Sequence, residues 1–173
     1  MHKIIDNALS QETFEGIKNF VLNSNFPWNL VTEVVGPQGR KEKKNIPITA
    51  SYYFTHLFWK EFHFHYSLYT GPQSQIFAPI LDLLDYNAII RIKGNLYPST
   101  ETIVHHEDHN DCDFPHRGAI FYLNTNNGFT VLEDDIKIES IENRLLLFDP
   151  SIPHHSTTCT DNKCRVNINF NFF

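Results

Sequence analysis

The sequence predicts a mainly β domain with flanking helices, of the double-stranded β-helix (jelly-roll) type, with N-terminal helices packed on its major sheet. After Tyr86 the chain changes to short segments rich in β-branched and aromatic residues, separated by turn residues, as in sandwiches and barrels. Among the turns, Asn124 to Gly128 is one by composition, because Asn and Gly tolerate positive φ. The candidate strands number eight, which suits a jelly roll, and lie at about 88–97, 102–106, 117–124, 129–133, 136–139, 144–148, 154–159 and 164–172.

The last segment has the clearest period in the chain. From Arg165 to Phe172 apolar and polar residues alternate, which predicts a strand with one apolar and one polar face. The N-terminal helices need an apolar sheet surface to pack on, and the apolar face of this strand supplies one. We therefore expect the polar face, and Arg165 with it, to point towards the cavity of the jelly roll.

Two helices are predicted before the β region. Ser10 is a candidate N-cap for a helix that runs to about Leu22. Helical spacing gives this helix one apolar face, formed by Phe14, Ile17, Phe20 and Val21. A second helix is predicted over 75–84, with Pro79 near its start.

Three other N-terminal segments have a distinct character. A strand is predicted over 29–35, and the loop at 36–45 that follows it carries most of the clustered basic residues. Residues 51–70 are dense in aromatic side chains, and His63 and His65 alternate with phenylalanines there. We interpret this segment as an aromatic cover over the core, with a second metal-binding pair as the alternative. The loop and the aromatic segment are also candidate lid elements.

Length and composition bound the class of protein. With 173 residues the chain suits a single domain over 1–173, in which 1–87 support a β core at 88–173. The content of 41% hydrophobic and 14% aromatic residues indicates a globular chain. A net charge of −6 argues against a nucleic-acid partner.

The cysteines and the N-terminus indicate the compartment. The three cysteines form no CxxC pair, so they predict reduced thiols rather than a disulfide framework or a zinc ribbon. The N-terminus lacks the apolar core of a signal peptide, and no apolar run approaches the roughly 20 residues that span a bilayer. We therefore expect a cytoplasmic protein without a membrane partner, and the sequence does not predict its oligomeric state.

Residues 105–116 hold four histidines and four acidic residues, which predicts a metal site. Two His-x-Asp pairs occur there, His106 with Asp108 and His109 with Asp111, and in extended backbone either pair points to one side. Further along, Pro153 is followed by His154 and His155. Two histidines and one carboxylate leave the other positions of a metal open, which suits Fe(II) enzymes that bind a cosubstrate and oxygen together.

With these residues in order, the chain resembles the Fe(II)/2-oxoglutarate-dependent oxygenases, most closely the small prolyl 4-hydroxylase-like members of phages and bacteria. The resemblance covers about 88–173, and the N-terminal half carries no comparable motif. One departure is Asn127-Gly128, where the family commonly has Gly-Gly. The matching stretches are 91–98, 119–130, 143–149 and Pro153-His154 leading to 164–170.

The resemblance implies the roles of individual residues. It favours His109, Asp111 and His154 as ligands of Fe(II), with His106, Asp108 and His155 as the alternatives. It implies that Arg165 pairs with the C5 carboxylate of 2-oxoglutarate, a role that suits the planar guanidinium. Further cosubstrate contacts are implied for Tyr97, Tyr122 and Thr130.

The resemblance also implies an activity. The chain is expected to use Fe(II), 2-oxoglutarate and O2, with L-ascorbate as an associated reductant, to hydroxylate an unactivated C–H bond. A prolyl residue of a peptide or protein is the favoured substrate, and a free amino acid or other small molecule is the alternative. Nucleobase demethylation is disfavoured, because Asn171 stands where those enzymes have a second arginine. An alternative of another class is a non-catalytic jelly-roll binding module, metal-free or holding zinc.

Overall fold

The computed structural model describes residues 1–32, 52–60 and 72–173. The loop predicted at 36–45, the end of the strand predicted over 29–35, and the histidines at 63 and 65 lie outside these residues. In the order of the chain, the described strands and α-helices are β1 (Lys3–Ile5), α1 (Gln11–Val21), β2 (Asn29–Val31), β3 (Tyr53–Lys60), α2 (Ala78–Leu81), β4 (Ile89–Pro98), β5 (Arg117–Tyr122), β6 (Asn126–Val131), β7 (Lys137–Ser140), β8 (Leu145–Phe148), β9 (His155–Ser156) and β10 (Cys164–Phe172). Two 3-10 helices lie at Pro72–Phe77 and Glu133–Asp135.

The strands form two antiparallel sheets, which confirms the predicted mainly β, jelly-roll class. The major sheet has seven strands in the order β1-β8-β5-β10-β4-β3-β2. The minor sheet has three strands in the order β7-β6-β9. Since β10 lies between β5 and β4 at the centre of the major sheet, both of its faces are buried.

Helix α1 covers the outer face of the major sheet, as predicted. The Ser10 hydroxyl accepts a hydrogen bond from the Thr13 amide and caps the helix. The apolar face of α1 packs in one core cluster with the apolar residues of β10, and Phe14 meets Phe121 edge to face at 6.0 Å. A second, smaller apolar cluster lies around Ile120 and Phe148. The inner face of the central strands is otherwise polar.

Several predicted elements differ from the structure. No strand forms over 102–106, because Val104 bonds to the side-chain oxygen of Thr158 and His105 makes only one isolated bridge. The helix predicted over 75–84 shrinks to α2, preceded by a 3-10 helix, since Pro79 has no N–H to continue a helix from 75. The strand predicted over 154–159 is only β9.

The turn predicted at Asn124 to Gly128 is also wrong in part, because β6 already begins at Asn126. The described end of the aromatic segment forms β3, an ordinary strand paired with β4. Among the described residues, no helix is long and apolar enough to cross a membrane.

Candidate active site

A polar cavity opens between the two sheets, against the inner faces of β4 and β10. Residues Arg91, Lys93, Asn95 and Tyr97 occupy alternate positions on β4 and therefore share one face. In register beside them, β10 presents Asn169, Asn167 and Arg165. The cavity has a volume of about 40 Å³. The polar side of the last strand thus faces inwards, as predicted.

Two histidines meet in this cavity, His109 from the loop after β4 and His154 from the loop after β8. His109 and His154 form an isolated antiparallel bridge, with backbone N–H to O distances of 2.9 and 3.0 Å. In each ring Nδ1 lies near a backbone carbonyl oxygen, Glu107 O at 3.2 Å and Ile152 O at 3.0 Å. A carbonyl oxygen can only accept, so Nδ1 carries the proton and the Nε2 lone pair of each ring is free. This tautomer is the one that metal-bound histidines commonly have.

Asp111 is the third member of a group of possible metal ligands with His109 and His154. Its carboxylate and the two imidazoles have their ligand atoms within 4.8 Å of one another, and no other such group of three occurs among the described residues. Arg91 Nη2 donates to Asp111 Oδ1 at 2.7 Å, and Asn169 Nδ2 donates to Oδ2 at 3.1 Å. Both carboxylate oxygens are therefore held in place by side chains of the central sheet.

The charge states of the three groups suit a divalent metal. Burial lowers the pKa of His109 to about 4 and also lowers the pKa of His154, so both rings are neutral at physiological pH. Burial alone would raise the pKa of Asp111. The positive charge of Arg91 and its hydrogen bond outweigh burial and hold this pKa below its usual range. Two neutral imidazoles and one carboxylate are the donor set that open Fe(II) sites use.

The alternative metal ligands are engaged elsewhere. His155 lies with Nδ1 2.6 Å from Asp108 and Nε2 2.8 Å from His105 Nδ1, so both of its ring nitrogens are occupied. His106 is 3% exposed and packs its ring 5.0 Å from that of Tyr97. Burial lowers the pKa of His106 to about 3, and the charge of Arg165 acts in the same direction.

Arg165 lies beside the cavity, where it contacts the lining residues Thr130 and Ser156, and it is fully buried. Its guanidinium donates to three hydroxyl groups: Nε to Ser140 at 2.6 Å, Nη2 to Thr130 at 2.9 Å, and Nη1 to Ser156. Burial lowers its pKa below the usual value for arginine, yet a guanidinium stays charged in proteins. Of its five N–H donors, about two are left for a further acceptor.

The remaining predicted residues surround Arg165. The rings of Tyr97 and Tyr122 each lie 5.6 Å from its guanidinium carbon. Tyr122 Oη and Thr130 Oγ1 are hydrogen-bonded at 2.8 Å. Burial raises the pKa of Tyr97 to about 12, which keeps its hydroxyl protonated. All four residues predicted to contact a cosubstrate therefore lie together in the structure.

Gly128 explains how β6 can pass so close to Arg165. A Cβ atom at this position would lie 2.8 Å from Arg165 Cδ and 2.5 Å from the Thr158 carbonyl oxygen. No side chain fits there without displacing the arginine or the backbone. The Asn127-Gly128 sequence thus keeps the glycine where close approach requires one.

Several residues of the site did not enter the sequence predictions as functional. Arg91, Lys93 and Asn169 lie beside Asp111, and Ser140 and Ser156 contact Arg165. A signal for the first three was present, because they follow the same alternation as Tyr97 on β4 and Arg165 on β10. Ser140 carried no signal, since its contact depends on how the minor sheet folds over the major one.

No family model matches this chain, and no curated protein sequence matches it. Solved structures match over almost its whole length. The collagen prolyl hydroxylase of Paramecium bursaria Chlorella virus-1 has a TM-score of 0.60 at 12% identity, covering 98% of this chain and 94% of its own. A prolyl hydroxylase from Trichoplax adhaerens, in complex with a hypoxia inducible factor peptide fragment, has a TM-score of 0.60 at 16% identity, covering 99% and 83%.

An oxidoreductase of the 2OG-Fe(II) oxygenase family from Burkholderia pseudomallei has a TM-score of 0.61 at 11% identity, covering 99% and 84%. The chain has a prolyl 4-hydroxylase-like fold. At these identities the likeness concerns the fold, whereas the two histidines, the carboxylate and the buried arginine are properties of this chain itself.

Proposed function

We propose that this protein is an Fe(II)- and 2-oxoglutarate-dependent dioxygenase that hydroxylates an unactivated C–H bond, with a prolyl residue of a peptide or protein as its substrate. One observation carries the proposal. Two free imidazole Nε2 atoms and an ionised carboxylate converge in a polar cavity, and a buried arginine contacts two residues of its lining, Thr130 and Ser156. In this fold, that arrangement suits a metal-chelated dicarboxylic acid.

Each residue then has a definite task. His109, Asp111 and His154 would hold Fe(II) on one side and leave its other positions open. Bound iron, 2-oxoglutarate and O2 would supply the oxidising chemistry. Arg165 would bind the C5 carboxylate with the N–H donors that its three hydroxyl partners leave available.

The protonated hydroxyl groups of Tyr97 and Tyr122 lie beside Arg165 and could donate to the same carboxylate. Thr130 accepts from Arg165 and so fixes the plane of its guanidinium. The residues that line the cavity are buried or half-buried, which strengthens the charge interactions inside it. These residues therefore bind and orient the cosubstrate.

The prolyl substrate is supported by the fold. Two of the similar structures are prolyl hydroxylases, and one of them was solved with a peptide fragment. A free amino acid or another small molecule is the second substrate class. Incubation with proline-containing peptides and with free L-proline, followed by mass spectrometry for one added oxygen atom, separates these two classes.

The proposed chemistry is tested by an anaerobic titration of the protein with Fe(II) and 2-oxoglutarate. The chelate should produce a visible metal-to-ligand charge-transfer band in the wild-type protein and in His155→Ala. The band should be lost in His109→Ala, Asp111→Ala and His154→Ala. A folded wild-type protein that gives no band would overturn the proposal in favour of a non-catalytic jelly-roll binding module.

A further inference from the structure

Two cationic side chains reach the cavity from β4 next to the candidate metal ligands. Arg91 and Lys93 are two positions apart on one strand, so they share its inner face about 7 Å from each other. Lys93 is opposite Asn169 in the register, and Asn169 holds Asp111. Both cations therefore lie near the candidate metal ligands, whereas Arg165 lies four residues before Asn169 on β10, opposite Tyr97.

Among the described residues, Lys93 has no anionic partner. In the described part of the chain its ammonium group forms no ion pair or hydrogen bond, and Nζ only lies 5.5 Å from the centre of the Tyr53 ring. An ammonium group in a partly desolvated cavity without a hydrogen-bond acceptor is costly, because lost hydration is not replaced. A bound anion would accept hydrogen bonds from this ammonium group and balance its charge.

Arg91 also has an unused donor. Its Nη2 atom is engaged with Asp111 Oδ1, but its Nε atom is buried and has no hydrogen-bond partner. Buried N–H groups without partners are rare in folded proteins. Within the described ranges, a buried N–H and an ammonium group without hydrogen-bond partners thus occur two residues apart on the same face of β4.

The charges of the site also favour a bound anion. Two cations, Arg91 and Lys93, line the cavity, and a third, Arg165, is hydrogen-bonded to the lining residue Thr130. The nearby carboxylates are those of Asp111, in the lining, and Asp108, which contacts His155. A divalent metal and the dianion 2-oxoglutarate would cancel each other, so one positive charge would remain. This local excess occurs in a chain whose net charge is −6.

We propose that Lys93, assisted by Arg91, binds a carboxylate group next to the metal centre, at a site separate from that of Arg165. This inference rests on the proposed function, because the metal and the C5 carboxylate are assigned to the other residues of the cavity. The carboxylate belongs either to the primary substrate or to C1 of 2-oxoglutarate. Both sources present the same group to Lys93.

A purely structural role for Lys93 fits the surroundings less well. A structural lysine either pairs with a carboxylate or extends its ammonium group into bulk water. Among the described residues Lys93 forms no ion pair, with Asp111 or with any other carboxylate, and its side chain lines the cavity on the inner face of β4. Methionine at this position would fill similar space without charge, which makes Lys93→Met a suitable variant.

The test compares the wild-type protein with Lys93→Met, Lys93→Arg and the exposed-lysine control Lys3→Met. Acetate is the carboxylate probe, and its binding is followed by saturation-transfer NMR of the methyl group, first without metal and then with Mn(II) and saturating 2-oxoglutarate. Calorimetry gives the affinity of the Mn(II)-loaded proteins for 2-oxoglutarate. Mn(II) occupies the metal site without turnover under nitrogen.

Acetate should bind to the wild-type protein, Lys93→Arg and Lys3→Met, and at least about tenfold more weakly to Lys93→Met. If acetate still binds in the presence of 2-oxoglutarate, the carboxylate is that of the primary substrate. If 2-oxoglutarate displaces acetate and Lys93→Met loses at least about tenfold in 2-oxoglutarate affinity, the carboxylate is that at C1.

Two other results are distinguishable from these. Equal affinity of Lys93→Met and wild type for both acetate and 2-oxoglutarate would overturn the carboxylate site. Lys93-dependent acetate binding in a protein that takes up neither Mn(II) nor 2-oxoglutarate would uphold the site and reject the proposed function.

Discussion

Arg91 Nη2 donates a 2.7 Å hydrogen bond to the Asp111 oxygen that also faces Nε2 of His109, 3.9 Å away. The Arg91 guanidinium thus binds the Asp111 oxygen that lies nearest to the His109 imidazole. This hydrogen bond keeps the Asp111 carboxylate ionised and fixed before any metal binds. Partners of this kind typically contribute 10- to 100-fold to metal affinity, roughly.

Replacement of Arg91 should therefore weaken metal binding. We expect Arg91→Met to lose about 10-fold or more in Mn(II) affinity, because Asp111 loses the partner that orients it. Titration followed by electron paramagnetic resonance measures the effect. The control is Arg117→Met, which removes a more exposed arginine at the same end of the sheet. Unchanged or tighter binding in Arg91→Met would contradict an orienting role.

A methyl group at position 128 should disturb the cosubstrate site without touching the metal ligands. In Gly128→Ala the new Cβ would crowd Arg165 Cδ at 2.8 Å, so 2-oxoglutarate affinity should fall about tenfold while Mn(II) affinity stays the same. The matched control is Gly16→Ala in α1, where no atom lies within 4 Å of the new Cβ. That variant should gain about 0.5–1 kcal/mol of stability. Normal 2-oxoglutarate binding by Gly128→Ala would show that Arg165 is not sensitive to this contact.

The two adjacent histidines should behave differently. His154→Ala removes a free Nε2 atom from the group of three and should abolish Mn(II) binding. His155→Ala breaks the contacts with Asp108 and His105, so it should lower the free energy of unfolding by about 1–3 kcal/mol and retain metal. Denaturant unfolding and Mn(II) titration of both variants measure this. The reverse pattern would make His155 the ligand.

Acid should destabilise the fold through His106. The unfolded chain takes up a proton near pH 6.5, whereas the folded protein does so only at about pH 3, because burial lowers the pKa of this imidazole. Stability is therefore complete above pH 6.5 and falls as the pH drops towards 3, by up to about 1.4 kcal/mol per pH unit from this group. The slope should be smaller in His106→Phe, measured by urea unfolding across this window. An equal slope in that variant would assign the effect to other groups.

The outer core should be independent of the site. Phe14 is fully buried against Phe121, so Phe14→Ala should cost about 3–5 kcal/mol of stability. Its contacts lie on the opposite face of the major sheet from the cavity, and Mn(II) affinity of the folded fraction should not change. Leu22→Ala, at a residue 39% exposed, is the control and should cost much less. Loss of metal affinity in folded Phe14→Ala would show coupling between the two faces.

The elements that were predictable from the sequence are those set by a periodic pattern or a local capping rule. β10 was predictable because its alternation continues from Arg165 to Phe172, and a half-buried strand requires that period. The N-cap at Ser10 and the apolar face of α1 follow equally local rules. The fold class followed from these elements.

What escaped prediction depends on contacts between distant segments. The 102–106 segment has strand-like composition, but its pairing with 156–158 does not extend beyond one bridge, because the Val104 N–H donates to the side-chain oxygen of Thr158 and not to a backbone carbonyl. The pairing of Arg91 with Asp111 likewise requires the loop after β4 to fold back over its own strand. The choice of His109 and Asp111 over His106 and Asp108 rested on family resemblance, and the grouping with His154 is consistent with it.

The double burial of β10 restricts how this chain can vary. Side chains on a strand change face with every residue, so the insertion or deletion of one residue within Cys164–Phe172 would turn its phenylalanines into the cavity and its asparagines into the core. The same holds for β4, which is paired along its length with β10. Relatives of this protein should therefore differ in these two strands by substitution and keep their lengths, while changes of length accumulate in the connections between strands.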